Sequence, residues 1–169
     1  MKRVLVFTGL LFIFCSCSLP RYAPKPPVLE TSKTAAITFS GPVHFINTQN
    51  TQKDIVVLVE NFKLNVNLKT YTESVISSLK SEFDRNDYPY FETASKKIRI
   101  AVVDVSLASS MGGNVCNIDL VIQPGDHPVI GIQASAQSIN YQKAIDYAVA
   151  DAAIRILNHS KIIRYLEGR

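Results

Sequence analysis

From residue 116 to 122 every second side chain is apolar: Cys116, Ile118, Leu120 and Ile122, with Asn117 and Asp119 between them. Ile130, Ile132, Ala134 and Ala136 repeat the pattern against Gly131, Gln133, Ser135 and Gln137. Successive side chains of a strand point to opposite faces, so each stretch is expected to form a strand with one dry and one wet face, the mark of antiparallel pairing. The segment Pro124-Gly125-Asp126-His127-Pro128 supplies the turn between them. Residues 98–107 are also β-prone, but their alternation slips near Val103, which predicts a bulge or burial on both faces. Met111-Gly112-Gly113-Asn114 is a flexible turn.

Two stretches carry the other period. Tyr71, Val75, Leu79 and Phe83 recur every four residues and put one apolar stripe on a helix. Thr70 and Glu73 have the spacing of a capping box at its start, and Asn86-Asp87-Tyr88-Pro89 stops it. After Asn140, a natural N-cap, Tyr141, Ala144, Ile145, Ala148, Val149, Ala152, Ala153, Ile156 and Leu157 form a broad face whose alanines permit close packing. Asn158-His159-Ser160 breaks that helix, and residues 161–166 read as one more short helix. Upstream, residues 35–39 and 43–46 are short β-prone stretches broken at Gly41-Pro42. The continuous apolar run of residues 55–59 is expected to be an inner strand covered on both faces. The predicted fold is α+β: an antiparallel sheet with two main helices packed on one face.

The N-terminus has a different character. Lys2 and Arg3 precede an apolar run over residues 4–14, the charged-then-apolar order of a secretory signal. A spanning helix needs about 20 apolar residues, so this run is too short to stay as one. Ser16-Cys17, with Phe14 three residues before the cysteine, resembles a lipobox; Phe14 departs from the usual leucine, and Cys15 follows the bulky Phe14. Cleavage between Ser16 and Cys17 and lipidation of Cys17 are therefore expected; the alternative is an ordinary signal peptide that leaves a free cysteine near the cleavage site. Three acyl chains, at about 0.8 kcal/mol per buried methylene, would make a permanent anchor. Ser18 in place of aspartate favours the outer membrane over the inner one by resemblance to enterobacterial sorting rules. Pro20, Pro24, Pro26 and Pro27 then suggest an extended spacer in which nothing packs into a core. The expected division is a signal peptide over 1–16, a lipidated cysteine and Pro-rich tether over 17–33, and one periplasmic domain over 34–169.

Charge and cysteine content narrow the function. The whole chain has net charge +4; losing Lys2 and Arg3 with residues 1–16, which hold no acid, leaves 16 basic against 14 acidic side chains, or +2. That is too weak a balance for a nucleic-acid partner. With Cys15 removed and Cys17 acylated, Cys116 has no partner for a disulfide, and its place in an alternating stretch marks it as a small buried residue. No Gly-x-Ser-x-Gly elbow, His-Glu-x-x-His, mature Cys-x-x-Cys or phosphate loop occurs. His44, His127 and His159 fall in separate turn-like regions and are expected to face solvent. Asp104 is expected to turn outward at the bulge, Asp146 and Asp151 to solvate the last long helix, and Asp54 and Glu60 to solvate strand ends. No catalytic residue, metal site or cofactor is predicted, and the chain is read as a non-enzyme. A polar cleft holding two or more of Asp104, Asp119, His127 and His44 would revive an enzymatic reading.

The layout is similar to that of small outer-membrane lipoproteins of the YajG-like family. The stretches that carry the likeness are residues 70–83, 97–107, 115–122 and 144–166, above all the alanine-rich segment 148–157; Asn158-His159 departs from the family's usual acid. Other periplasmic lipoproteins, the lipopolysaccharide-assembly lipoprotein and the activators of peptidoglycan synthases, share the alternation. The YajG-like resemblance implies a palmitate-bearing cell-envelope protein with no catalytic residues and an uncharacterised role. The first functional expectation is a membrane-anchored protein that binds another envelope protein or serves structurally. A second is a lipid or lipopolysaccharide carrier, whose helices and sheet would part around a cavity; an enzyme is the least favoured. The sequence identifies no small-molecule ligand.

Overall fold

A computed structural model describes residues 19–29, 33–49, 53–59 and 62–169. Ser16, Cys17 and the whole of residues 1–16 lie outside them, as does Glu60. The described chain is α+β, with strands β1 (Val43–Asn47), β2 (Asp54–Val59) and β3 (Phe62–Asn67), helix α1 (Leu68–Arg85), strands β4 (Lys96–Ser110), β5 (Gly113–Pro124) and β6 (Ile130–Ser138), and helices α2 (Tyr141–Asn158) and α3 (Ser160–Glu167).

The main sheet has the order β1-β4-β5-β6. β4, β5 and β6 pair antiparallel, as their alternation requires. β1 lies parallel to β4, with Phe45 opposite Ile98, so the sheet is mixed and not antiparallel throughout. Connectivity accounts for the difference: α1 carries the chain back to the end where β1 began, so the next strand must run in β1's direction. The sequence stretch 35–39 forms no strand.

The expected inner strand over 55–59 is instead one arm of a separate two-stranded hairpin, β2 with β3. Val57 is buried, but Val56 and Leu58 are 55% and 66% exposed. The partner strand has a period-2 sequence, Phe62, Leu64 and Val66 against Lys63, Asn65 and Asn67. Leu64 and Val66 join the core. β3 runs directly into α1, so the true cap of that helix is Asn67, whose Oδ1 accepts the Thr70 N–H at 3.0 Å. Thr70 is already the third helical residue, not the cap. The four-residue stripe is as expected: Tyr71, Val75, Leu79 and Phe83 are all fully buried.

The bulge in β4 falls between Val102 and Asp104. The Val102 N–H donates to Thr72 Oγ1 in the first turns of α1, while Phe83, near its end, packs on Phe45, which pairs with Ile98. α1 and β4 therefore run antiparallel, and β4 beyond the bulge extends past the start of α1. α2 covers β5 and β6 with its alanine face; Ala144, Ala148, Ala152, Ala153 and Ile156 are fully buried. Asn140 caps α2 as expected, accepting from Gln142 and Lys143. The opposite face of the sheet carries polar cross-strand pairs, including Gln133 to Asp119 at 3.0 Å and Ser135 to Asn117 at 2.7 Å.

Residues 19–29 do not stand clear of this body. Arg21 bridges to Asn65 beside β3, the Pro24 carbonyl accepts from Ser74, and the Arg85 guanidinium donates to the Leu29 carbonyl. Leu29 is 5% exposed and belongs to the core. The expectation that nothing in the proline-rich stretch packs against the domain is thus replaced by a strap along α1. Prolines cannot join the ladder of a sheet, but they fix an extended chain that lays its carbonyls and one leucine on the helices.

Candidate functional site, a cationic cleft beneath the β5–β6 turn

Most of the described residues named in the sequence reading lie apart from one another. Asp104 and Asp119 face each other directly across β4 and β5, on the solvent side of the sheet. His44 sits in β1, with its Nδ1 buried and unpaired among the described residues, which corrects its assignment to a solvent-facing turn. His159 accepts the Lys161 N–H and caps α3, and His127 is exposed in the β5–β6 turn. Asp146 and Asp151 do more than solvate α2. Asp146 accepts from Tyr22 and from the Lys25 N–H, and Asp151 accepts the Ser135 N–H of β6 and pairs with Arg155. Asp54 gathers Arg21, Asn65 and Asn67, and the Asn67 bond first among these holds its carboxyl below the usual carboxylate range. Cys116 is fully buried, and burial pushes its thiol up to about 12, which leaves it a poor nucleophile. Among the described residues no group of three or more His, Cys, Asp or Glu side chains is placed to hold a metal, and no helix is long and apolar enough to cross a membrane.

A cleft of about 390 Å³ opens instead between the β5–β6 turn and α3. Its apolar walls are Pro124, Pro128, Ile130 and the Tyr165 ring; Lys161, Arg164, Arg169 and His127 bring nitrogen to its lining. The arrangement follows from two local facts. Gly125, at φ 52°, lies in the left-handed region that favours glycine, and a Cβ there would lie 3.0 Å from the Tyr165 ring, so a side chain would press on that ring where the turn closes over it. In α3, Ile162 and Leu166 are buried one turn apart, which leaves Lys161, Arg164 and Tyr165 on the side facing the turn.

The ring of Tyr165 is held from several directions. Its hydroxyl accepts the Lys97 N–H at 2.9 Å, His127 meets it edge-on at 5.5 Å between centroids, and Lys96 Nζ lies 5.8 Å from its centre. Lys96 also donates to the Tyr165 and Leu166 carbonyls at 3.1 and 2.9 Å, closing the C-terminal end of α3, and burial lowers its pKa. Nearby Arg99 donates to the Gly125 carbonyl and stands 4.0 Å from Asp126, while Arg169 pairs with Glu167. Lys161 and Arg164 have no acid partner among the described residues. A rigid aromatic and proline-lined floor below unpaired cations can hold an anionic group attached to an apolar one; it offers no paired base and nucleophile.

The cleft was not singled out from sequence. Its only linear trace is the 161–164–165 spacing, ordinary for the exposed side of an amphipathic helix; the turn that completes it lies more than thirty residues away. Comparison with family models and with curated proteins finds no match to this chain.

Proposed function

We propose that the chain is a lipid-anchored lipoprotein of the bacterial envelope that binds another envelope protein and catalyses no reaction. The observation that carries the anchor is the sequence Lys2-Arg3, an apolar run over 4–14, and Ser16-Cys17. In this reading cleavage follows Ser16, Cys17 carries the lipid, and Ser18 directs the protein to the outer membrane, facing the periplasm. The strap and residues 34–169 together form the periplasmic body, in the manner of the YajG-like lipoproteins.

The placement of the strap supports the binding role. Arg21 lies beside Asn65, two residues before β3 gives way to α1. The Leu166 carbonyl of α3 accepts from Ser40, next to Phe39, whose ring packs on Phe83 at the other end of α1. Eighteen helical residues, about 27 Å at 1.5 Å each, separate these levels. A chain entering at residue 19 from a membrane therefore holds the cationic cleft on the far side. The alanine-filled contact of α2 with the sheet favours this reading over a lipid carrier, which needs room between those layers.

Cys17→Ser should abolish palmitate labelling and release the protein to the soluble periplasm, while Cys15→Ser leaves both unchanged. A Cys17→Ser protein that stays with membranes and keeps the label would overturn the anchor.

A further inference from the structure

The cationic cleft continues into an open stretch of sheet edge. β6 is the last strand of its sheet and has β5 on one side only among the described residues. The Ser135 N–H points away from β5, since it donates to the Asp151 carboxylate at 3.0 Å. Backbone groups alternate sides along a strand, so those of Gly131 and Gln133 point outward with it. At Ser135 the edge is closed by Asp151, and the strap residues Pro27 to Leu29 border the same hollow. At Gly131 and Gln133 no described residue bonds to those outward groups, and both residues are exposed. Ile130, the residue before Gly131, already lines the cleft.

We infer that Gly131–Gln133 and the cleft form one docking site for an extended acidic peptide segment of the partner protein. The segment adds a short strand to β6, an established way for a sheet edge to bind a peptide. Its acidic side chains reach Lys161 and Arg164, and an apolar side chain enters between Pro124, Pro128 and Tyr165. Charge decides the sign of the occupant. Lys161 and Arg164 line the site, and the nearby acids Glu167 and Asp126 stand beside Arg169 and Arg99. The inference rests on the partner-binding reading but not on the anchor.

The test uses full-length protein in nonionic detergent and two fluorescent hexapeptides, one alternating valine with glutamate and one alternating valine with lysine. The glutamate peptide should bind and the lysine peptide should not. Lys161→Glu with Arg164→Glu should weaken binding about tenfold, the combined effect of two reversed surface charges. Gln133→Pro should weaken it similarly; an edge strand tolerates proline whose ring replaces an outward N–H, so the fold survives. Bound peptide should slow hydrogen exchange at residues 131–133. Failure of the glutamate peptide to bind, equal binding to the charge-reversed variant, or unchanged exchange at 131–133 would each overturn the site. So would displacement of the peptide by short-chain phosphatidylglycerol that binds through Lys161 and Arg164 without slowing that exchange, which would assign the cleft to lipid headgroups. Crosslinks to envelope proteins through another surface, with no peptide bound here, would remove this site and leave partner binding standing.

Discussion

The Tyr22 hydroxyl lies 2.9 and 2.8 Å from the two carboxylate oxygens of Asp146 and donates to them, although 124 residues separate the pair. The Lys25 N–H donates to the same carboxylate at 2.7 Å. One acid of α2 thus fastens two points of the strap, and burial together with this bond raises the Tyr22 pKa well above the usual tyrosine value. The contact can be measured by a double-mutant cycle. Tyr22→Phe and Asp146→Ala should each destabilise, and their coupling in urea melts should be about 1 kcal/mol, the scale of a partly exposed hydrogen bond to a charged group. Additive effects would mean that the strap does not depend on this pair.

Leu29 extends the same argument to apolar packing. It is a core residue held by the Arg85 bond to its own carbonyl. Leu29→Ala should cost about 2–3 kcal/mol, toward the lower end for a buried leucine because the site lies at the margin of the core. A loss below about 0.5 kcal/mol, in the range of ordinary surface changes, would return residues 20–29 to the role of a free spacer.

The α2 interface predicts two opposite errors with one outcome. Ile156→Ala removes a fully buried side chain and should cost about 2–5 kcal/mol. Ala152→Leu inserts bulk where no surface is exposed and should cost about 1–3 kcal/mol by overpacking. Denaturant midpoints of both variants check this. A neutral or stabilising Ala152→Leu would reveal room beneath α2 and bring the carrier reading forward.

Tyr71 is fully buried, yet its hydroxyl has no hydrogen-bond partner among the described residues. Burial raises its pKa, so the group is a neutral hydroxyl at any physiological pH. Tyr71→Phe keeps the ring and deletes an unpaired polar atom. It should therefore leave stability unchanged or raise it by up to about 1 kcal/mol. A clear loss in thermal midpoint would show that the hydroxyl is bonded in solution, to water or to a nearby group.

Asp54 gives a pH dependence of defined sign. Its carboxyl titrates lower in the folded chain than in the unfolded one, chiefly because the Asn67 amide donates to it at 2.6 Å. Its contribution to stability is complete above the unfolded value, about 3.9, and is lost as pH falls through the lower folded value. The denaturation midpoint of the native chain should therefore fall more steeply below about pH 4 than that of Asp54→Asn. Parallel acid limbs for the two proteins would remove Asp54 as a contributor.

Local periodicity was enough to define β5, β6, α1, α2 and α3, because each of these elements buries one face and its sequence repeats at the spacing of that face. The bulge at Val103 and the cap at Asn140 were equally legible, since both are set by a few adjacent residues. Residues 55–59 misled because an unbroken apolar run looks the same whether a sheet covers both faces or a hairpin leaves Val56 and Leu58 exposed. The parallel β1–β4 pair, the docking of the strap on Asp146 and Arg85, and the meeting of Gly125 with Tyr165 were decided only by the tertiary structure. Each joins residues forty or more positions apart, and no local pattern encodes which distant surfaces will be brought together. The cationic cleft belongs to that second class: Lys161 and Arg164 are ordinary solvated charges along the helix, and they become a site only because the turn before β6 closes over Tyr165 beside them.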